Sequence, residues 1–230
     1  MAKEIYNTYL FSDSYLGGYW RQEGNGNDST SNAYNMTSTN VSWGTSYGKF
    51  NQGASFNGSN SIQRRANTLQ LTGNFSLSCW VYFSNVASDQ VLVVNELTGS
   101  SFGPYYLQFK QSSGSKFSFW VLGTPSGSAE IFSTTSPSTG QWYFIAATRD
   151  GTNINLYVNG VLEAQTAWST TQVTNSGNYL QFGGTQNAGG TNYRLLNGYL
   201  DDIAIFSRAL TPSEVLFLYK EGGIFFHNFL

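Results

Sequence analysis

Two acidic residues stand side by side in Gly-Tyr-Leu-Asp-Asp-Ile-Ala-Ile-Phe, residues 198–206, in a chain that has 13 Asp and Glu among 230 residues. The segment reads as a strand, and strict alternation puts Asp201 on the side of Ile203 and Ile205, and Asp202 on the side of Ala204 and Phe206. One carboxylate is therefore expected among apolar neighbours. A buried ionised carboxylate is costly unless it is paired or binds a metal, and few Lys or Arg lie nearby in sequence to pair with it. Calcium fits that chemistry, because it takes six to eight oxygen ligands from carboxylates, amide side chains and carbonyls. The early segment Glu-Gly-Asn-Gly-Asn-Asp-Ser-Thr-Ser-Asn-Ala-Tyr-Asn, residues 23–35, offers Asp28, Asn25, Asn27 and Asn32 with glycines between them. The expected metal set is Asp28, Asn25, Asn32, Asp201 and Asp202. The alternative is that Asp28 closes an Asx-turn and the Asp pair accepts backbone amides at a sheet end.

A second set of residues suits stacking rather than coordination. In Phe-Ser-Leu-Ser-Cys-Trp-Val-Tyr-Phe, residues 75–83, alternation sends Phe75, Leu77, Cys79, Val81 and Phe83 one way and Trp80 and Tyr82 the other. Residues 141–150 repeat the pattern, with Tyr143, Ile145 and Ala147 opposite Trp142, Phe144 and Ala146. Residues 116–122 set Phe117, Phe119 and Val121 opposite Trp120. The reverse face collects Trp80, Tyr82, Trp120 and Trp142, expected either as an aromatic groove for a sugar or protein ligand, or as a face covered by other parts of the chain.

The elements that must position these groups are strands. Charged residues make up 10% of the chain and aromatics 17%, with 25 glycines, a β-protein composition. About ten short runs of β-branched and aromatic residues alternate with turn clusters, which suits a two-sheet sandwich. The exception is residues 210–223, where Thr211, Pro212 and Glu214 form a capping box and Gly222 and Gly223 are expected to end a short helix. A net charge of −2 without a basic stripe argues against nucleic acid and an anionic membrane as partners. Cys79 is the single cysteine, so no internal disulfide and no cysteine zinc site exists. The N-terminus lacks the pattern of a secretory signal, and the sequence has no 18-residue apolar span, so a soluble chain is expected.

Residues 197–219, with Gly-Tyr-x-Asp-Asp running into an Arg-Ala-Leu turn, resemble the closing segment of laminin-G-like domains of the concanavalin A-like lectin/glucanase superfamily. Residues 19–35, 48–62, 71–83 and 141–164 agree with that family in order. The resemblance implies an all-β jelly-roll sandwich of two antiparallel sheets with one short C-terminal helix. It implies a calcium ion tying the early loop to the late Asp strand, as in several such domains. It implies a non-catalytic binding or structural module, with a glycan or cell-surface ligand as partner.

Glycoside hydrolases share the superfamily and need two carboxylates about 5–9 Å apart. No run of alternating acids is present, Glu23, Glu96, Glu130 and Glu163 are isolated, and the one histidine, His227, lies in the terminal segment. No catalytic residues are expected. The chain divides into an extension over residues 1–14, a jelly-roll domain over 15–221 and an apolar tail over 222–230. That tail carries Phe225, Phe226 and Phe229 and is expected to dock on a protein partner. A chain without a secretion signal but with such a tail also suits a phage capsid decoration or tail component, displayed on the virion exterior and held by other virion subunits.

Overall fold

The alternation described above sorts side chains into two opposed faces, and a strand with both faces apolar must be covered twice. The computed structural model describes residues 10, 13–66, 69, 71–96, 103–124, 127–173, 178–186 and 189–228, with side chains to residue 220. Two antiparallel sheets of eight strands each pack face to face. The first runs, in spatial order, Val161–Ala167, Asn153–Val158, Trp142–Arg149, Phe75–Phe83, Asn197–Phe206, Gly53–Asn57 and Ser42–Gly44, with Leu16–Trp20 paired to the later part of Asn197–Phe206. The second runs Ser128–Phe132, Lys116–Thr124, Tyr105–Lys110, Gln90–Glu96, Tyr179–Phe182, Ile62–Ala66 and Thr37–Thr39, with Thr171–Gln172 paired to Lys116–Thr124. This is the expected all-β jelly-roll sandwich.

The core between the sheets takes the side chains that alternation assigned to it. Phe75, Leu77, Cys79, Val81 and Phe83 from one sheet meet Phe117, Phe119 and Val121 from the other, all fully buried. Trp20 anchors the first strand in this core, its ring edge-on to Phe182 at 4.9 Å. The glycine of the Gly-Tyr-x-Asp-Asp segment has a steric role, since a Cβ on Gly198 would lie 2.0 Å from the Tyr82 carbonyl oxygen. That close approach lets Asn197–Phe206 pair along Phe75–Phe83.

The opposite face of the first sheet is a second core. Trp80, Phe144, Ala146, Ala204 and Phe206 are buried there with Tyr19, Leu10, Leu210, Val215 and Leu218. The helix that supplies the cover spans Pro212–Asn228. Its capping box forms: Thr211 N–H donates to Glu214 at 2.7 Å and Glu214 N–H to the Thr211 hydroxyl at 3.3 Å. The expected stop at Gly222 and Gly223 does not occur, and the backbone stays helical to Asn228. Two mid-helix glycines lower helix propensity by about 1 kcal/mol each relative to Ala but do not forbid the conformation. No helix among the described residues is long and apolar enough to cross a membrane.

Arg208 fixes the entry to this helix. Its guanidinium donates to Asp13 at 2.7 Å and to both Glu214 oxygens at 2.9 and 2.7 Å, joining the segment before the first strand to the helix N-terminus. Burial raises the Glu214 carboxyl, and the Arg208 and Thr211 donors outweigh it to hold it below the usual value. A depressed folded-state value stabilises the fold above the unfolded pKa of about 4.3 and is lost as pH falls through the folded one. Glu214→Gln is expected to cost roughly 1–3 kcal/mol at neutral pH, with the deficit shrinking towards zero in acid, as read from denaturant titrations at pH 7 and below pH 4.

Candidate functional site

The acidic pair is set by a bulge that alternation could not anticipate. Asp201 pairs with Trp80 and Ala204 with Ser78, and the register shifts between them. Asp202 takes up the extra residue in a left-handed conformation, φ 46°, a strained state of order 1–3 kcal/mol. The expected sidedness of Asp201 is therefore reversed, because it shares the outer face with Trp80 while Ile203 and Ile205 lie in the inter-sheet core. Nor do the two acids diverge, since Asp202 accepts a 2.5 Å hydrogen bond from the hydroxyl of Tyr19, a member of the outer cluster. Asp201 accepts from the backbone N–H groups of Lys49, Phe50 and Asp202 at 2.8, 3.0 and 2.8 Å. Burial, and then the neighbouring Asp202 charge, push its carboxyl well above the usual carboxylate range.

In the early loop, Asp28 accepts from the N–H groups of Tyr19, Thr30 and Tyr34 and from the Thr30 hydroxyl, all within 2.8–2.9 Å. Asn25 closes an Asx-turn on the Asn27 N–H at 2.8 Å, and Asn32 donates to the Gly17 carbonyl at 3.1 Å. Asp28 and Asp202 thus bind opposite ends of Tyr19, its amide and its hydroxyl. Both Asp28 oxygens and one Asp202 oxygen face N–H or O–H hydrogens, so these acids do not present the converging free acceptors of a calcium cage. Among the described residues no three His, Cys, Asp or Glu gather in a group that could hold a metal ion. Tyr19 joins the early loop to the late strand.

The four expected stacking residues do not share a face. Trp80 is buried under the helix and the 49–50 turn, its ring 5.6 Å from Tyr219, 5.4 Å from Phe144 and 5.8 Å from Phe50. Tyr82 and Trp142 lie further along the same outer face, half-buried, in a row with Tyr199 set by strand register. Tyr82 stacks on Tyr199 at 5.0 Å, Tyr47 contacts the far side of the row at 5.0 Å, and these rings mainly face one another. Trp120 lies on the other sheet.

The second sheet carries a mixed aromatic and polar outer face. Register places Glu130, Trp120, Tyr106, Val94, Gln181, Arg64 and Thr37 in one row straight across its seven strands, all pointing away from the core. Trp120 is half-buried and meets Tyr106 edge-on at 5.4 Å. Polar side chains along the row are held by one another. Glu130 accepts from Ser118 at 2.8 Å and Gln108 at 3.2 Å, and Gln181 donates to Glu96 at 3.2 Å. The small hairpin of Thr185–Gln186 and Asn192–Tyr193 leans on this face: Gln186 N–H donates to Gln181 at 2.8 Å, and the Tyr193 hydroxyl donates to Glu96. Burial lifts the Glu96 carboxyl above its ordinary value despite the donors around it. Sequence reading found Trp120 and missed Tyr106, Glu96, Gln181, Arg64 and Arg194. Tyr106 was within reach, since Tyr-Tyr-Leu-Gln-Phe-Lys alternates cleanly, but the register joining it to Trp120 was not.

A sandwich of two antiparallel eight-stranded sheets in this strand order defines a lectin-like jelly roll. The chain belongs to the concanavalin A-like lectin/glucanases superfamily, whose laminin-G model matches residues 56–216. No curated protein matches it. Among solved structures, domain 4 of the extracellular arabinanase AbnA from Geobacillus stearothermophilus, in complex with arabinotriose, is similar at 20% identity and TM-score 0.70, over 89% of this chain and 98% of that one. The binding domain of Paraclostridial Mosquitocidal Protein 1 is similar at 17% identity and TM-score 0.65, over 85% of this chain and 49% of that one. The ligand-binding domain of botulinum neurotoxin serotype D, in complex with N-acetylneuraminic acid, is similar at 15% identity and TM-score 0.63, over 96% of this chain and 52% of that one. The chain spans about half the length of the latter two, and at these identities the likeness is one of fold.

Two outcomes follow from the Tyr19 joint. Thermal melts in millimolar calcium and in chelator are expected to share one midpoint. Tyr19→Phe, which deprives buried Asp202 of its hydroxyl donor, is expected to lose roughly 1–3 kcal/mol in denaturant unfolding.

Proposed function

We propose that this protein is a non-catalytic binding module that attaches to carbohydrate, free or on a cell surface, through the outer face of the second sheet around Trp120. One observation carries the reading: a half-buried indole stands among prearranged polar groups, on the sheet opposite the one the helix covers. An aromatic plate flanked by fixed amide and carboxyl groups is what a sugar ring requires, apolar contact on one face and hydrogen bonds at its edges. The arabinotriose and N-acetylneuraminic acid complexes of similar folds support it.

The placement of the acids supports a non-catalytic role. Asp201 and Asp202 are buried beneath the 49–50 turn and Tyr19. Glu130 and Glu96 share the outer face of the second sheet, but their strands stand three places apart. At ~4.8 Å per strand their backbones are separated by about 14 Å, against the 5–9.5 Å or so that separates the carboxyl groups of a hydrolytic pair.

A structural role in a phage virion is the second reading, favoured by the apolar residues Phe225, Phe226 and Phe229 of the terminal segment, whose backbone stays helical to Asn228. The side chains of residues 222–230 lie outside the described ones. Deleting 222–230 is expected to leave the melting midpoint nearly unchanged while lowering the oligomer mass in light scattering. Deletion that unfolds a monomeric protein would remove this reading.

The carbohydrate reading is tested by affinity electrophoresis and a glycan array. Trp120→Ala is expected to weaken retention by about tenfold or more with little change in melting, whereas Trp142→Ala on the other sheet leaves retention intact. Equal retention of the Trp120 variant and the parent would move the site elsewhere.

A further inference from the structure

Among the described residues, Arg194 is the cation on the ligand face whose donors are all uncommitted. It follows the Asn192–Tyr193 strand, and its backbone is held in the left-handed region, φ 49°. Its carbonyl accepts the Val91 N–H at 2.8 Å, which seats the residue on the second sheet. The guanidinium carbon lies 5.9 Å from the ring centroids of both Tyr106 and Tyr193. Among the described residues that guanidinium makes these cation–π contacts and no hydrogen bond or ion pair. The other arginine of the face is engaged: Arg64 lies 3.5 Å over the Tyr179 ring and donates to Gln186 at 2.5 Å.

The surroundings of Arg194 explain why its charge is tolerated and what it lacks. The Glu96 carboxyl lies within electrostatic reach of the guanidinium, but its oxygens already accept from Tyr193 and Gln181. Trp120 touches the same Tyr106 ring from its own strand at 5.4 Å. The Trp120 indole and the Arg194 guanidinium, both from half-buried residues, therefore meet on one tyrosine. A planar guanidinium with five free donors is matched by a carboxylate, which accepts two parallel N–H bonds.

We propose that the ligand of this face is an acidic sugar, a uronate or sialate whose ring packs on Trp120 while its carboxylate is bound by Arg194. The proposal rests on the carbohydrate reading given above and adds the charge of the ligand and the residue that selects it. Strain at Arg194 fits the assignment, since a left-handed arginine is held against its preference where its position matters.

The test is calorimetric titration of the full chain with trigalacturonate and with sialyllactose, each against its methyl ester, in which the same sugar has lost its charge. The free acid of at least one is expected to bind tighter than its ester, with the difference falling as salt is raised. Arg194→Gln is expected to weaken binding of that acid by roughly 10- to 100-fold and to leave the ester unchanged. Arg194→Lys, which keeps a charge but not the fork, is expected to fall between. Should an acid and its ester bind alike, or Arg194→Gln keep the preference for the acid, the selection by Arg194 is overturned while the carbohydrate reading stands. Binding of neutral arabino- or gluco-oligosaccharides alone overturns it in the same way. If no sugar on the array or in the calorimeter binds, the carbohydrate reading fails and this inference with it.

Discussion

Two adjacent carboxylates sit inside a protein that has few cations to balance them, and the donors they demand organise the first sheet. Asp201 draws the Lys49–Phe50 turn onto the sheet through two backbone amides, and Asp202 takes the Tyr19 hydroxyl. The amide of the same tyrosine binds Asp28, which in turn gathers the early loop. One hydrogen-bonded path therefore runs from the late strand to the early loop. An unmet acceptor at this depth costs more than the bond that satisfies it contributes, so loss of any donor is felt along the path. The left-handed twist at Asp202 is the local strain that brings both acids to one side.

The two sheets have different fates for a reason visible in their outer faces. Phe75–Phe83 and Trp142–Arg149 carry apolar or aromatic side chains on both faces, so the first sheet must be covered a second time, and the helix and Leu10 supply that cover. On the second sheet the outward residues are mostly polar, interrupted by a small cluster of Val91, Val94 and Tyr106 with Trp120 packed against it. A polar face with one aromatic island needs no helix. Among the described residues no helix packs on it.

Much of the architecture was legible because alternation is a local property. The inward sets of residues 75–83, 116–122 and 141–150 could be assigned from parity alone, and all are in the core. The capping box needed only the spacing of Thr211 and Glu214. Parity failed at Asp202, where a single added residue inverted the side of Asp201. It failed again at the tryptophans, because parity says which residues share a strand face and not which strands share a sheet. Trp80 and Trp120 are both outward, yet on opposite sides of the molecule. Arg194 comes from a segment with no periodic pattern, and its role depends on where strand register puts Tyr106.

The cover on the first sheet also gives the molecule a front and a back. Leu10 and the first turns of the helix are packed on the same outer face, and the Trp120 row lies across the sandwich from them. A label attached at Leu216, exposed on that helix, therefore stands behind the Trp120 row. Immobilising the chain through that position turns the row away from the support.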